Sequence, residues 1–327
     1  MTVLVFVDPS APAGRVADAT AAQLRVTDQG VVRGDGVFES MLYTGGVVRK
    51  LDAHLARLRS SAASCELPLP AEGAWRAAIT TAVEGYESGR TESGRTESPG
   101  AGAGAGAAAG TPDDGWHPGT PQASTAERDE AVVKLVVTRG SEGEDHGAAW
   151  VTVSPAPETG RRQRQEGIAV VLLDRGYDSS LAERAPWLLM GAKTLSYAVN
   201  MAALRHARSL GADDVIFTSS DGRVLEGPTS TVLLATHRDG VKRLVTPRLE
   251  TGILPGTTQG AIFAAAEQAG WSLGYGPLEP HHLLEADAVW LVSSIRLLAP
   301  VNSIDGAAIA RDPDLHAELS ALVETIR

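Results

Sequence analysis

The sequence predicts an α+β protein built in two lobes. Runs of strand-type residues gather at 1–51 and again at 131–154, with two helix-patterned segments between them. A polar, arginine-rich stretch at 155–167 then divides the chain, and a second series of strands and helices fills 168–327. A length of 327 residues suits two lobes with a core in each. The N-terminal lobe is placed at 1–154, the linker at 155–167 and a larger C-terminal lobe at 168–327.

Composition narrows the class. Hydrophobic residues make up 43% and charged residues 21%, ordinary values for a soluble globular chain. A net charge of −11 argues against a nucleic-acid partner. No apolar run approaches the roughly 18 residues of a membrane span. Cys65 is the only cysteine, which excludes an intramolecular disulfide and a cysteine metal cluster and fits a reducing, cytoplasmic compartment. No metal site is read.

The first strand is expected at 1–8, followed by a small-residue loop. Gly30, Gly34 and Gly36 fall within seven residues. They read as a turn between strands, with a phosphate-cradling loop as the sharper alternative. Strands are expected at 37–42 and 47–51 about Gly45-Gly46. Residues 51–65 place Leu51, Leu55, Leu58 and Ala62 on one helical face, with Arg57 beside it, and a second helix is expected at 74–83.

Residues 87–127 differ from their surroundings. Glu87-Ser88-Gly89-Arg90-Thr91 is copied by the next five residues, and a Gly/Ala tract and a Pro/Gly/Asp-rich piece follow. The composition predicts a flexible surface insertion. Strands resume at 131–140 and 148–154, and 168–173 opens the second lobe.

In the second lobe an apolar segment delivers Lys193, with a helix expected at 197–209 and a strand at 214–218. A turn at Ser219-Ser220-Asp221-Gly222 leads to Glu226, 33 residues after the lysine. Strands follow at 230–236 and 243–246. Residues 251–259 then join glycine, the hydroxyls of Thr257 and Thr258, and a helix start. That combination is an anion site or a simple threonine N-cap, and the two readings are compatible. A strand at 287–294 and a helix at 312–326 complete the chain.

Several separated segments agree with one family. Asp28-Gln29-Gly30 with Gly34-Asp35-Gly36-Val37-Phe38-Glu39, His54-Leu55-Ala56-Arg57-Leu58, Lys193-Thr194-Leu195-Ser196, Glu226-Gly227-Pro228-Thr229-Ser230-Thr231 and Gly252-Ile253-Leu254-Pro255-Gly256-Thr257-Thr258 stand in the order seen there. The chain thus resembles the class IV aminotransferases, pyridoxal 5'-phosphate enzymes of the branched-chain and D-amino acid aminotransferase type, a family that includes aminodeoxychorismate lyase. The resemblance implies a two-lobed fold type IV architecture, D-amino acid aminotransferase-like, with the cofactor in the interlobe cleft. It implies that Lys193 binds the cofactor aldehyde and moves the proton, and that Glu226 faces the pyridine nitrogen. Arg57, Thr257, Thr258 and Ser230 then complete the cofactor site. Lys134 and Arg139, followed by Gly140-Ser141, are similar to the strand end that holds substrate carboxylates in the lyase, and Arg296 adds positive charge. The expected activity is conversion of 4-amino-4-deoxychorismate to 4-aminobenzoate and pyruvate in folate biosynthesis. The alternative is a branched-chain or D-amino acid aminotransferase using 2-oxoglutarate. A third reading is a non-enzymatic acidic interaction module tethered through 87–127. The expected partners are a small-molecule substrate and a second copy in a homodimer, without nucleic acid or membrane.

Overall fold

The computed structural model describes residues 1–96, 130–144 and 147–327. Two sheets divide the chain. The first has six strands in the order β2-β1-β6-β5-β3-β4: β1 (Val3–Asp8), β2 (Ala11–Ala17), β3 (Gly36–Thr44), β4 (Val47–Val48), β5 (Ala131–Thr138) and β6 (Ala149–Pro155). Its inner face alternates as a strand should. Val37, Met41 and Tyr43 of β3 and Val133, Leu135 and Val137 of β5 enter one core with Leu55, Leu58 and Ala62 of helix α2 (Leu51–Ser64). The opposite face of β3 carries Phe38 and Ser40 into the cleft between the sheets.

Among the described residues the second sheet has eight strands, with the path β11-β10-β9-β12-β13-β7-β8 and β14 paired to β13, where β10 is Val241–Thr246, β11 Ser272–Tyr275 and β14 Ala307–Ala308. The strands that matter for the site are β7 (Ile168–Asp174), β8 (Asp214–Thr218), β9 (Thr231–Arg238), β12 (Ala288–Ser293) and β13 (Leu297–Ile304). Helix α1 (Gln29–Val32) precedes β3, and α3 (Glu72–Thr96) lies across β1 and β2. Helices α4 (Glu158–Glu166), α5 (Leu181–Arg184), α6 (Ala198–Ser209), α7 (Thr257–Gln268), α8 (Pro280–Glu285) and α9 (Pro313–Thr325) complete the chain. Among the described residues no helix is long and apolar enough to cross a membrane.

Four departures from the sequence expectations bear on how the lobes are built. The small-residue loop after β1 is strand β2, paired antiparallel to β1 and mostly exposed, so it carries no apolar alternation to read. The segment 87–96, expected in the insertion, continues α3, because Tyr86 extends the buried stripe of Trp75, Ala78, Ile79 and Ala82. The rest of the expected insertion lies outside the described residues. The arginine-rich linker contains helix α4, which closes at Gly167 with φ +81°. Strands β11 (Ser272–Tyr275) and β13 lay within stretches that gave no separate strand signal.

Candidate active site

The loop that presents Lys193 is stitched to the start of β3. The Phe38 N–H donates to the Lys193 carbonyl at 3.0 Å, and the Leu195 N–H to the Gly36 carbonyl at 2.8 Å. Ser61 Oγ of α2 accepts from the Lys193 N–H at 3.0 Å. A Cβ at position 36 would collide with the Val137 carbonyl and the Leu195 side chain, so glycine is required there. Gly34 and Gly36 therefore seat the lysine loop, while Gly30 packs against Thr138 of β5.

The Lys193 ammonium lies 4.6 Å from the Phe38 ring centre and 5.7 Å from that of Tyr197. Burial, and then the Arg57 guanidinium, lower its pKa to about 8. Glu226 is reached by chain that pairs with β8: the Phe217 N–H donates to the Glu226 carbonyl at 2.9 Å. Its carboxylate accepts one hydrogen bond, from the Leu254 N–H at 3.1 Å. Burial pushes it up to about 7, against that bond and the charges of Lys193, Arg175 and Arg57. Lysine and glutamate line one cavity of about 630 Å³, within the range of small-molecule sites.

Arg57 also lines this cavity, but its fork grips Glu39. Nε and Nη2 donate to the two Glu39 oxygens at 2.7 and 2.8 Å, and Nη1 donates to the Pro255 carbonyl at 2.8 Å. Five guanidinium N–H groups less these three leave two for an anion. Thr257 and Thr258 open α7 behind Gly256, which gives no side-chain cap, so the first-turn N–H groups keep their anion-binding capacity. Threonine N-capping is not what these hydroxyls do: Thr257 Oγ1 lies 3.2 Å from both His54 Nε2 and Ser294 Oγ, and Thr258 Oγ1 lies 3.3 Å from Ser294 Oγ.

A phosphate-bearing aldehyde cofactor fits this set. Ser230 Oγ and Gln259 Nε2 are buried polar atoms without a protein partner, both on residues lining the cavity. The uncapped helix start offers N–H groups, Lys193 an amine close to neutrality, and Glu226 a carboxylate short of donors.

The three expected substrate residues separate. Lys134 lies opposite Ser40 on β3, with its ammonium 5.0 Å from the Phe38 ring centre, so it shares the cleft-facing side of the sheet. Arg139 does not reach the cavity. Its guanidinium is held by Asp35 at 2.6 Å and by the Cys65 and Glu66 carbonyls, because the chain turns away after β5. Arg296 lines the cavity but is buried, its Nη1 donating to Asp214 at 2.6 Å and to Gln163 at 3.3 Å. The acidic residue that neutralises each arginine is remote in sequence.

Glu39, His54, Ser294, Tyr197, Arg175 and Asn200 were missed as site residues. A signal existed for two of them. Glu39 occupies a core-facing position in the β3 alternation, and His54 stands on the apolar side of α2; both are at most 1% exposed. A polar group at such a position needs a partner.

The class IV amino-transferase family model matches residues 36–304. The chain is 40% identical over 301 residues to the bifunctional aminodeoxychorismate lyase / D-amino acid transaminase of Mycobacterium tuberculosis, covering 90% of this chain and 91% of that protein. It superposes on the PLP-bound form of a hypothetical aminotransferase from the same organism with a TM-score of 0.83 and 36% identity, covering 99% and 98% of the two chains. The fold IV transaminase CpuTA1 from Curtobacterium pusillum gives a TM-score of 0.81 at 40% identity, with 99% of each chain covered. The chain belongs to the class IV aminotransferases, has their fold type IV architecture, and uses pyridoxal phosphate.

Proposed function

With that membership as the premise, we propose that the chain is an aminodeoxychorismate lyase, converting 4-amino-4-deoxychorismate to 4-aminobenzoate and pyruvate. The geometry that carries the reading is the Lys193 amine and the Glu226 carboxylate on one cavity, with Lys134 on the same face of the sheet as cavity-lining Phe38. Similarity to the bifunctional lyase of M. tuberculosis supports the substrate. Bound pyridoxal phosphate supplies an electron sink for the pair left at the substrate carbon. Lys193 Nζ takes the proton from the amine-bearing carbon. The C–O bond to the enolpyruvyl group breaks with its electron pair, the ring becomes aromatic, and the leaving enolate takes up a proton at its methylene carbon to become pyruvate. Ionised Glu226 would pair with the cofactor's ring nitrogen and favour its protonated form. The two free N–H groups of Arg57, the start of α7 and Ser230 hold the phosphate. Lys134, with no carboxylate paired to it among the described residues, faces the substrate carboxylates, and Arg296, a cavity-lining residue whose Nε and Nη2 are buried without a protein partner, keeps N–H groups for them.

A second reading is D-amino acid transamination by the same lysine, favoured by the other activity of that bifunctional relative. Lys193 Nζ would then carry the same proton without any C–O cleavage. Pyruvate release from 4-amino-4-deoxychorismate with no keto acid present supports the lyase. Turnover that appears only when D-alanine and 2-oxoglutarate are supplied together overturns it in favour of the transaminase. We infer a cytoplasmic homodimer. Exposed Trp187 and Leu188, beside cavity-lining Leu189 and Met190, form an apolar surface for a second copy, and sedimentation checks this.

A further inference from the structure

The phosphate end of the cavity has a histidine behind it. His54 is 1% exposed and stands between the two sheets. Its Nδ1 lies 2.7 Å from Glu39 Oε2, and its Nε2 lies 3.2 Å from Thr257 Oγ1 and 3.1 Å from Ser294 Oγ. Those hydroxyls are 3.2 Å apart, and Ser294 Oγ continues to Thr258 Oγ1 at 3.3 Å. The chain of contacts therefore runs from a carboxylate on β3, through one imidazole, to hydroxyls at the start of α7 and in the turn after β12.

Proton counting decides what this chain can do. Glu39 is ionised: burial opposes its charge, but the Arg57 fork and the His54 bond prevail and hold it at about 2. A carboxylate only accepts, so Nδ1 carries a hydrogen. The other groups that face the ring are Arg57, one turn along α2, and Lys193, in the loop before α6; both are cationic and disfavour a second ring proton. Burial does the same, and the pKa of His54 is lowered. In the neutral ring Nε2 is an acceptor, so Thr257 or Ser294 spends its single hydroxyl proton on the histidine. That proton is then withheld from an anion at the helix start. An imidazolium reverses the bond: Nε2–H donates, and the hydroxyl proton turns outward.

We propose that His54 is a positioning residue that couples phosphate capture to proton uptake: as the phosphate docks at the α7 start, His54 gains a solvent proton and frees a Thr257 or Ser294 O–H to donate a hydrogen bond to the anion. The negative charge of the phosphate and the carboxylate of Glu39 then bracket the imidazolium. The inference rests on the cofactor site and not on the choice between lyase and transaminase.

The test uses pyridoxine 5'-phosphate, which has the phosphate but no aldehyde, so Lys193 forms no bond to it. Full-length apoprotein labelled with 15N-histidine is titrated with this compound, and the His54 signals are assigned by their loss in His54→Gln. At pH 7 the free protein is expected to show one protonated ring nitrogen and the complex two. The affinity of the wild type should fall more steeply than that of His54→Gln as pH rises from 7 to 9, by an excess of up to about tenfold per pH unit. Gln keeps an amide donor near the Nε2 position but cannot titrate. An Nε2 that stays an acceptor in the complex, or equal pH slopes in the two proteins, overturns the proposal. Absence of any binding overturns the cofactor site itself.

Discussion

Two buried glutamates 187 residues apart show opposite chemistry in one molecule. Glu39 receives three charge-assisted bonds, two from Arg57 and one from His54, and is held at about 2. Glu226 receives one backbone N–H and is pushed up to about 7. Burial acts on both in the same direction; the supply of donors decides the outcome. Glu39 is a finished structural anchor that fixes Arg57 and His54. Glu226 is left short of donors, and in the proposed site a pyridinium would supply the missing partner.

Replacing the amine between them has the largest expected effect. Lys193→Ala should lower turnover by about 10³-fold or more while leaving the melting temperature within a few degrees, since nucleophile and proton carrier are lost together. The two carboxylates are then compared directly. Glu39→Gln should destabilise the fold by about 3–5 kcal/mol, because Arg57 loses its buried counter-ion; a melt would fall by roughly 5–15 °C. Glu226→Gln should leave the melt unchanged or raised and cut activity by about 10²-fold or more, the ring nitrogen having lost its carboxylate. Equal melts for the two variants would erase the distinction.

The pH dependence has opposite signs at the two sites. Glu39, depressed below its ordinary value of 4.5, contributes stability that is present above pH 4.5 and is lost as pH falls toward 2. Glu226, raised from 4.5 to about 7, contributes stability that is full below 4.5 and is lost as pH rises through 7. The stability of wild type relative to Glu226→Gln should therefore fall between pH 4.5 and 7, by at most about 3 kcal/mol, in urea titrations of the apoprotein. A difference that stays flat would contradict the buried, donor-poor state of Glu226.

The smallest expected effects separate the two outer cations. Lys134→Gln should raise KM for 4-amino-4-deoxychorismate about tenfold with little change in stability. Arg139→Gln should leave KM unchanged and cost about 1 kcal/mol, since its partly exposed bridge to Asp35 is structural. The reverse pattern would return Arg139 to the substrate.

Much of this was legible in the residues. The alternation of β3, the stripe of α2 and the turn before Glu226 follow from local pattern, and the chemistry expected of Lys193, Glu226 and Thr257 came from the family resemblance of the segments that hold them. What the sequence hid is pairing at long range. Arg57 and Arg139 read alike as free cations, and Glu39 and Asp35 decide their roles through contacts 18 and 104 residues away. The hydroxyl of Ser294 gave no signal, because its neighbours His54 and Thr257 meet it only when the two sheets come together. The continuation of α3 through 87–96 was masked by glycine and serine, although Tyr86 supplied an apolar contact one turn earlier.

The central claim is that the cofactor is held by the ε-amine of Lys193, in a cavity whose acid is Glu226. The direct measurement is borohydride reduction of the protein with pyridoxal phosphate, followed by mass mapping of the peptides containing Lys50, Lys134, Lys193 and Lys242. A phosphopyridoxyl adduct is expected on Lys193 alone, lost in Lys193→Ala. An adduct on Lys134, the other amine beside Phe38, or no adduct on any of the four, would contradict it.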